Sequence, residues 1–185
     1  EIYTLTLHDA LPISGIKYVA DTLSINRVAW IPKGDGKNWE TKITSSLCEY
    51  VKEKKPTFST IVYDYPDHFG HASGFDSNEY YQSLEVLDKC IVSICQSYKD
   101  AGIYDKTVFI ITSDHGGTGK THGGKTLKEM ESPFIVFGCN VKKDYEIRES
   151  VMQYDIGATI AYIMGLDMPQ AWIGRPIYSI FEKQR

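Results

Sequence analysis

An α/β fold, with a mostly parallel sheet flanked by helices, is what the order of elements predicts for this 185-residue chain. Three observations carry that expectation. Short runs rich in β-branched and aromatic residues alternate with longer runs whose apolar residues recur at helical spacing. Two of the strand-like runs, TFSTIVY (57–63) and TVFIIT (107–112), are each followed at once by a polar, glycine-rich segment. Those segments are YDYPDHFGHASG (Tyr63–Gly74) and TSDHGGTGKTHGGKT (Thr112–Thr126), and between them they hold four of the five histidines. Open α/β sheets place their ligands beyond the carboxyl ends of strands, so both segments are candidates for the site.

The elements follow in order. Glu1–Ser14, EIYTLTLHDALPIS, resembles the in-frame translation of a short-read sequencing adapter, the alternative being a native amphipathic strand. On the adapter reading His8 and Asp9 are not ligands, the segment is excluded from the fold, and the protein proper starts in mid-domain near Gly15, N-terminally truncated. Ile16–Trp30 has a mixed pattern that predicts two short strands around a loop, the second near Arg27–Ile31, and a glycine-rich turn follows at Gly34–Gly36. Ile43, Leu47 and Val51 continue from Trp39 at every fourth position, an amphipathic helix that should stop before Pro56. The strand 57–63 comes next. Asp76 with Glu79 can form a capping box, after which Tyr80, Leu84, Leu87, Ile91, Ile94 and Tyr98 mark one face of a long helix ended by Gly102. Beyond the strand 107–112, a third strand is predicted at Pro133–Phe137 and a helix at Tyr154–Met164, with Ile156, Ile160 and Ile163 facing inward.

Composition narrows the function classes. The apolar share of 42% is that of an ordinary globular protein, and a net charge of −4 with no large basic block argues against a nucleic-acid duplex or an anionic membrane as partner. No run of roughly 18 apolar residues predicts a membrane span. Cys48, Cys90, Cys95 and Cys139 form no C-x-x-C pair, and their apolar settings predict buried free thiols.

The chemistry lies in the two polar segments. Asp67 and His71 stand four residues apart, within reach of one ion, with Gly70 and Gly74 allowing the backbone to turn tightly beside them. Asp114 and His115 leave the end of a strand together, and His122 follows seven residues after His115. Two carboxylates and three imidazoles suit Zn²⁺, with Mn²⁺ as the second candidate. Two open sites would need roughly six to eight ligands. Five are visible, so an upstream portion should supply the rest. His68 competes with His71 but precedes Phe69, which favours a solvent-facing or supporting role. Lys125, beside Thr126, can offer a cation to an anionic substrate. GTGKTHGGKT lacks the full spacing of a nucleotide P-loop.

With YDYPDHFGHASG and TSDHGG, the stretches HGGKTLKEMESPFIVFG (His122–Gly138) and GLDMPQAWIGRPI (Gly165–Ile177) resemble the C-terminal half of the alkaline phosphatase superfamily, especially its type I phosphodiesterase and nucleotide pyrophosphatase branch. The resemblance covers about Lys55 to Ile180. It implies an alkaline phosphatase-like fold in which residues 15–185 are the C-terminal part of one catalytic domain. It also implies a metal-dependent phosphodiesterase or phosphatase with two divalent ions and a covalent phosphoenzyme, acting on a small-molecule phosphate ester. Asp67, His71 and His122 would hold one zinc, Asp114 and His115 the other. The family's upstream aspartate and Thr or Ser nucleophile have no assigned counterpart in this chain, so a fragment alone should be inactive. His122 follows His115 closely, as in phosphoglycerate mutase-like and sulfatase-like relatives, which keeps a mutase and an arylsulfatase as alternatives. A noncatalytic metal-binding module is the alternative from another class. Export, to the periplasm or beyond, is a further implication of the resemblance.

Overall fold

The computed structural model describes residues 2–8, 27–32 and 38–183. Asp9, the strand expected after Ile16 and the turn at Gly34–Gly36 lie outside the described residues. The described residues fall into two compact units, one within Glu1–Asp105 and His115–Glu131, the other within Lys106–Asp114 and Ser132–Arg185.

In the first unit, β1 (Ile2–His8) is the middle strand of a three-stranded sheet, paired in parallel with β2 (Arg27–Pro32) on one side and β3 (Phe58–Val62) on the other. The register runs Tyr3↔Arg27 and Ile2↔Phe58. Strand pairing is made by backbone groups, so it is indifferent to the origin of the residues in Glu1–Ser14. Helix α1 (Trp39–Lys54) realises the predicted stripe: Trp39, Ile43, Leu47 and Val51 are 1%, 0%, 2% and 0% exposed. Burial of such side chains is worth about 1.5–3 kcal/mol each, which holds this helix in place more firmly than its intrinsic propensity does. It ends at Lys55, one residue before Pro56, in a left-handed conformation.

Helix α2 (Tyr65–Ser73) occupies most of the first polar segment, where Pro66 in the first turn sets φ for helix entry. Helix α3 (Asn78–Asp100) packs on α1 and α2. Its cap is Ser77, whose hydroxyl accepts the Tyr80 N–H at 3.2 Å, and not the Asp76 box expected from sequence. Its buried face is Ser83, Cys90, Ile94, Ser97 and Tyr98, so the stripe is rotated from the predicted one and Leu84 is exposed. The small Ser and Cys side chains allow close helix approach, a packing role that a search for large apolar residues passes over. Gly102, at φ +71, ends the helical run as expected. A 3₁₀ turn (Tyr104–Lys106) follows.

In the second unit β4 (Val108–Thr112) and β5 (Phe134–Gly138) pair antiparallel, with Val108 opposite Gly138 and Phe109 stacked on Phe137 at 5.0 Å. Helix α5 (Gln153–Met164) buries Asp155, Ala158, Thr159 and Ala161, while Ile156, Ile160 and Ile163 are only half-buried. The buried face is small and polar because it binds backbone: Asp155 accepts from Met152 N and Arg175 N, and Thr159 Oγ1 accepts from Ile177 N at 3.0 Å. Gly174 lies so close to Tyr154 that a Cβ would sit 2.3 Å from its carbonyl oxygen. Ile177, Ile180 and Phe181, around a closing 3₁₀ turn (Tyr178–Ile180), form a core with Phe134, Val136, Ile147, Val151, Tyr162 and Ile163.

This architecture corrects the predicted fold class. The described chain is mostly helical, and its strands form a three-stranded sheet and a separate two-stranded antiparallel ladder that does not close. It is not the α/β fold with one mostly parallel, helix-flanked, alkaline phosphatase-like sheet expected from sequence. The physical reason lies in the connection from β4 to β5. A parallel return needs a crossover, usually a helix. The only helix in that connection, α4 (Leu127–Met130), is four residues long, and the chain doubles back instead. Nor are the cysteines uniformly buried. All four are free, but Cys90 alone is buried, Cys48 and Cys95 are half-buried and Cys139 is exposed. Among the described residues no helix is long and apolar enough to cross a membrane.

Candidate metal centre

Helical spacing puts Asp67 and His71 of α2 on one face, with His71 Nε2 3.5 Å from Asp67 Oδ2. The second polar segment reaches this face because residues 115–131 pack in the first unit although β4, which precedes them, does not. Thr118 and Thr121 exchange backbone hydrogen bonds of 3.0 and 3.1 Å across a two-residue turn, with Gly119 at φ +54 where a left-handed backbone favours glycine. This hairpin folds the chain back so that the His115 and His122 rings stack, centroids 3.7 Å apart and planes 17° from parallel.

Three contacts dock the hairpin on α2. Phe75 N donates to Gly119 O at 2.8 Å, Lys120 Nζ donates to Ala72 O at 2.7 Å, and His71 Nδ1 donates to Lys120 O at 3.0 Å. The lysine places a cation at the helix C-terminus, where the dipole favours it. Under the histidines lies the buried ring of Phe75, 5.9 Å from His71 and 6.3 Å from His122 between ring centroids.

Asp67, His115 and His122 converge, their ligand atoms all within 4.8 Å of one another. Asp67 Oδ1 is shut off from solvent and accepts no hydrogen bond among the described residues. It faces His122 Nε2 at 3.5 Å and His115 Nε2 at 3.9 Å, beyond hydrogen-bond range. The tautomers follow from the other ring nitrogen. His115 Nδ1 lies 2.8 Å from Gly116 O and His71 Nδ1 3.0 Å from Lys120 O, and a carbonyl can only accept, so Nδ1 carries the proton in both rings. In the neutral rings each Nε2 then aims a lone pair at an anionic oxygen, an arrangement that a cation between them reconciles. Ligand atoms around a tetrahedral zinc lie roughly 3.3 Å apart. The donor set therefore fits one metal ion. A carbonyl behind a ligating histidine is the usual support for such a centre.

The remaining predicted residues fall as follows. Asp114 belongs to the second unit, where its backbone carbonyl accepts from Gln153 Nε2 at 2.7 Å. His68 is exposed, its ring near those of Tyr65 and Phe69. Lys125 is exposed on the stretch leading into α4. Gly70 lies within α2, where its missing side chain leaves room for the Phe75 ring, while Gly74 takes the turn at φ +119. Sequence reasoning passed over Phe75, Lys120 and Glu129. Only Glu129 left a local signal, standing three residues after Thr126 in capping-box spacing. Thr126 N and Oγ1 and Gly124 N all donate to its carboxylate, and these bonds, the threonine hydroxyl first, hold its pKa below the usual carboxylate range.

Two 2,3-bisphosphoglycerate-independent phosphoglycerate mutases are similar to the chain. That of Shewanella amazonensis is 30% identical over 77% of it, and that of Antithamnion sp. 26% identical over 74%. GPI ethanolamine phosphate transferase 1 of Emericella nidulans is 29% identical over 59% of the chain. The chain spans 27%, 26% and 14% of the lengths of these three relatives. Residues 17–133, which include Asp67, His71, Asp114, His115 and His122, match the profile of one family throughout. The chain belongs to the type I phosphodiesterase / nucleotide pyrophosphatase family.

Proposed function

We propose that this chain carries metal-binding residues of a hydrolase of small-molecule phosphate esters, a phosphodiesterase or phosphatase working with two divalent ions. The observation that carries the reading is Asp67 Oδ1, buried, without a hydrogen bond among the described residues, and facing the Nε2 atoms of His115 and His122. Those three residues hold one ion. His71 extends the cluster from the other carboxylate oxygen, and Asp114 is a proposed ligand of the other ion. When bound, a divalent ion supplies Lewis acidity toward a phosphoryl oxygen and lowers the pKa of water beside it. The chain's own residues prepare the place. Asp67 offsets the ion's charge, the carbonyls of Gly116 and Lys120 fix the imidazoles, Phe75 excludes water from below, and Lys125 offers a cation to the anionic ester. The nucleophile is not among the residues assigned.

Phosphoryl transfer to a second hydroxyl, in place of water, is a further reading favoured by the phosphoglycerate mutases among the relatives. The zinc-loaded product of the complete gene separates them when offered p-nitrophenyl phosphate, bis-p-nitrophenyl phosphate, an aryl sulfate and 3-phosphoglycerate. The expected result is cleavage of a phosphate ester that chelation abolishes and Asp67→Ala lowers about 100-fold or more in kcat/KM. Phosphate-ester hydrolysis at the wild-type rate in Asp67→Ala contradicts the proposal. Isomerisation of 3-phosphoglycerate without net release of phosphate favours the transfer reading.

A further inference from the structure

We infer that Glu129 is the positioning residue of this centre, fixing the spacing of His115 and His122 by gripping the backbone beside each. The inference rests on the metal-binding reading above and deepens it. Glu129 acts through two groups. Its backbone carbonyl accepts from Gly116 N at 3.0 Å, directly after His115. Its carboxylate accepts from Gly124 N at 3.0 Å, two residues after His122, and from Thr126 N and Oγ1 at 3.3 and 2.6 Å. One residue thus ties down both ends of the stretch that carries the two stacked imidazoles.

The glycines at these points match that grip. A Cβ on Gly116 would lie 2.1 Å from Lys128 O and 2.7 Å from Glu131 O, so the chain after His115 runs against backbone on either side of Glu129. A Cβ on Gly124 would lie 2.4 and 2.6 Å from the two carboxylate oxygens of Glu129. The side chain is buried, 8% exposed, and a buried carboxylate is costly unless its lone pairs are met, as three donors meet them here. The Thr126 bonds close the capping box of four-residue α4, but the bonds from Gly124 N and Gly116 N lie outside that box. What the anchor secures is the loop bearing two of the three converging ligands.

Glu129→Gln replaces one acceptor oxygen with an NH₂ that confronts a backbone N–H, loosening the grip with little change in volume. Gly124→Ala leaves Glu129 intact and drives a methyl group into its carboxylate. Gly124 is exposed, outside any helix or strand and free of a left-handed backbone, so alanine does not threaten the fold and this variant decides the matter if Glu129→Gln fails to fold. The full chain is titrated with Zn²⁺, and its Co²⁺ complex is followed by visible absorption, a readout of ligand geometry that loss of stability alone leaves unmoved. Both variants are expected to keep the wild-type far-UV circular dichroism, to lose about tenfold or more in zinc affinity and to shift the cobalt bands. Wild-type affinity and bands in the folded variants overturn the inference. His122→Ala separates the two levels. If it binds zinc as wild type does, the metal-binding reading itself fails. If it loses zinc while the Glu129 and Gly124 variants do not, only the positioning role falls.

Discussion

Phe75 supports the candidate centre at the scale of single residues. Its ring fills space that two glycines leave open: a Cβ on Gly70 would lie 2.5 Å from the ring, and one on Gly117 would lie 2.4 Å from it. The ring is 7% exposed and cannot swing into solvent without emptying the space under His71 and His122. Gly117→Ala is therefore an overpacking change, expected to cost about 1–3 kcal/mol and to weaken zinc binding with it. Phe75→Leu should relieve the collision, so the double variant is expected to lose less stability than the two single losses added together. A thermal-denaturation double-mutant cycle checks this, and strictly additive losses contradict the packing account.

Helices α1 and α3 are joined near their C-terminal ends by Lys52 and Asp100, Nζ to Oδ2 at 2.8 Å. The hydrogen bond from Lys52, followed by one from Gln96, lowers the pKa of Asp100, while the bond to Asp100 raises that of Lys52. For the lowered carboxylate, stability is present above its unfolded pKa and is lost as pH falls through the folded one. For the raised lysine, stability is present below its unfolded pKa and is lost as pH rises through the folded one. The pair thus contributes across the neutral range and fades at both extremes. Both groups are exposed, which keeps the effect small and sensitive to salt. Asp100→Asn is expected to flatten the acid side of the melting-temperature profile at low ionic strength, with the difference from wild type vanishing in high salt. An unchanged acid limb at low salt would show that the contact contributes nothing.

Across the molecule, helices were more legible than sheets for a physical reason. The spacing of Trp39, Ile43, Leu47 and Val51 is a local property that exposes α1 directly, whereas the partner of a strand is set by distant chain and by the connection between them. The strands β4 and β5 were legible as strands, yet their antiparallel pairing depends on a link too poor in helix to cross over. The polar segments stood out by composition, but the prediction put both at strand ends of one sheet. They meet instead because the 115–131 hairpin docks on α2 through Phe75, Lys120 and His71, contacts between residues about 45 or more apart in sequence that no local pattern announces. The central claim is that Asp67, His115 and His122 together hold a divalent ion, and calorimetric titration of the purified chain with Zn²⁺ tests it most directly. Saturable binding is expected in the wild type, weakened about 100-fold or more by Asp67→Ala, His115→Ala and His122→Ala taken singly, with far-UV circular dichroism unchanged. Zinc binding of wild-type strength in all three folded variants would contradict it.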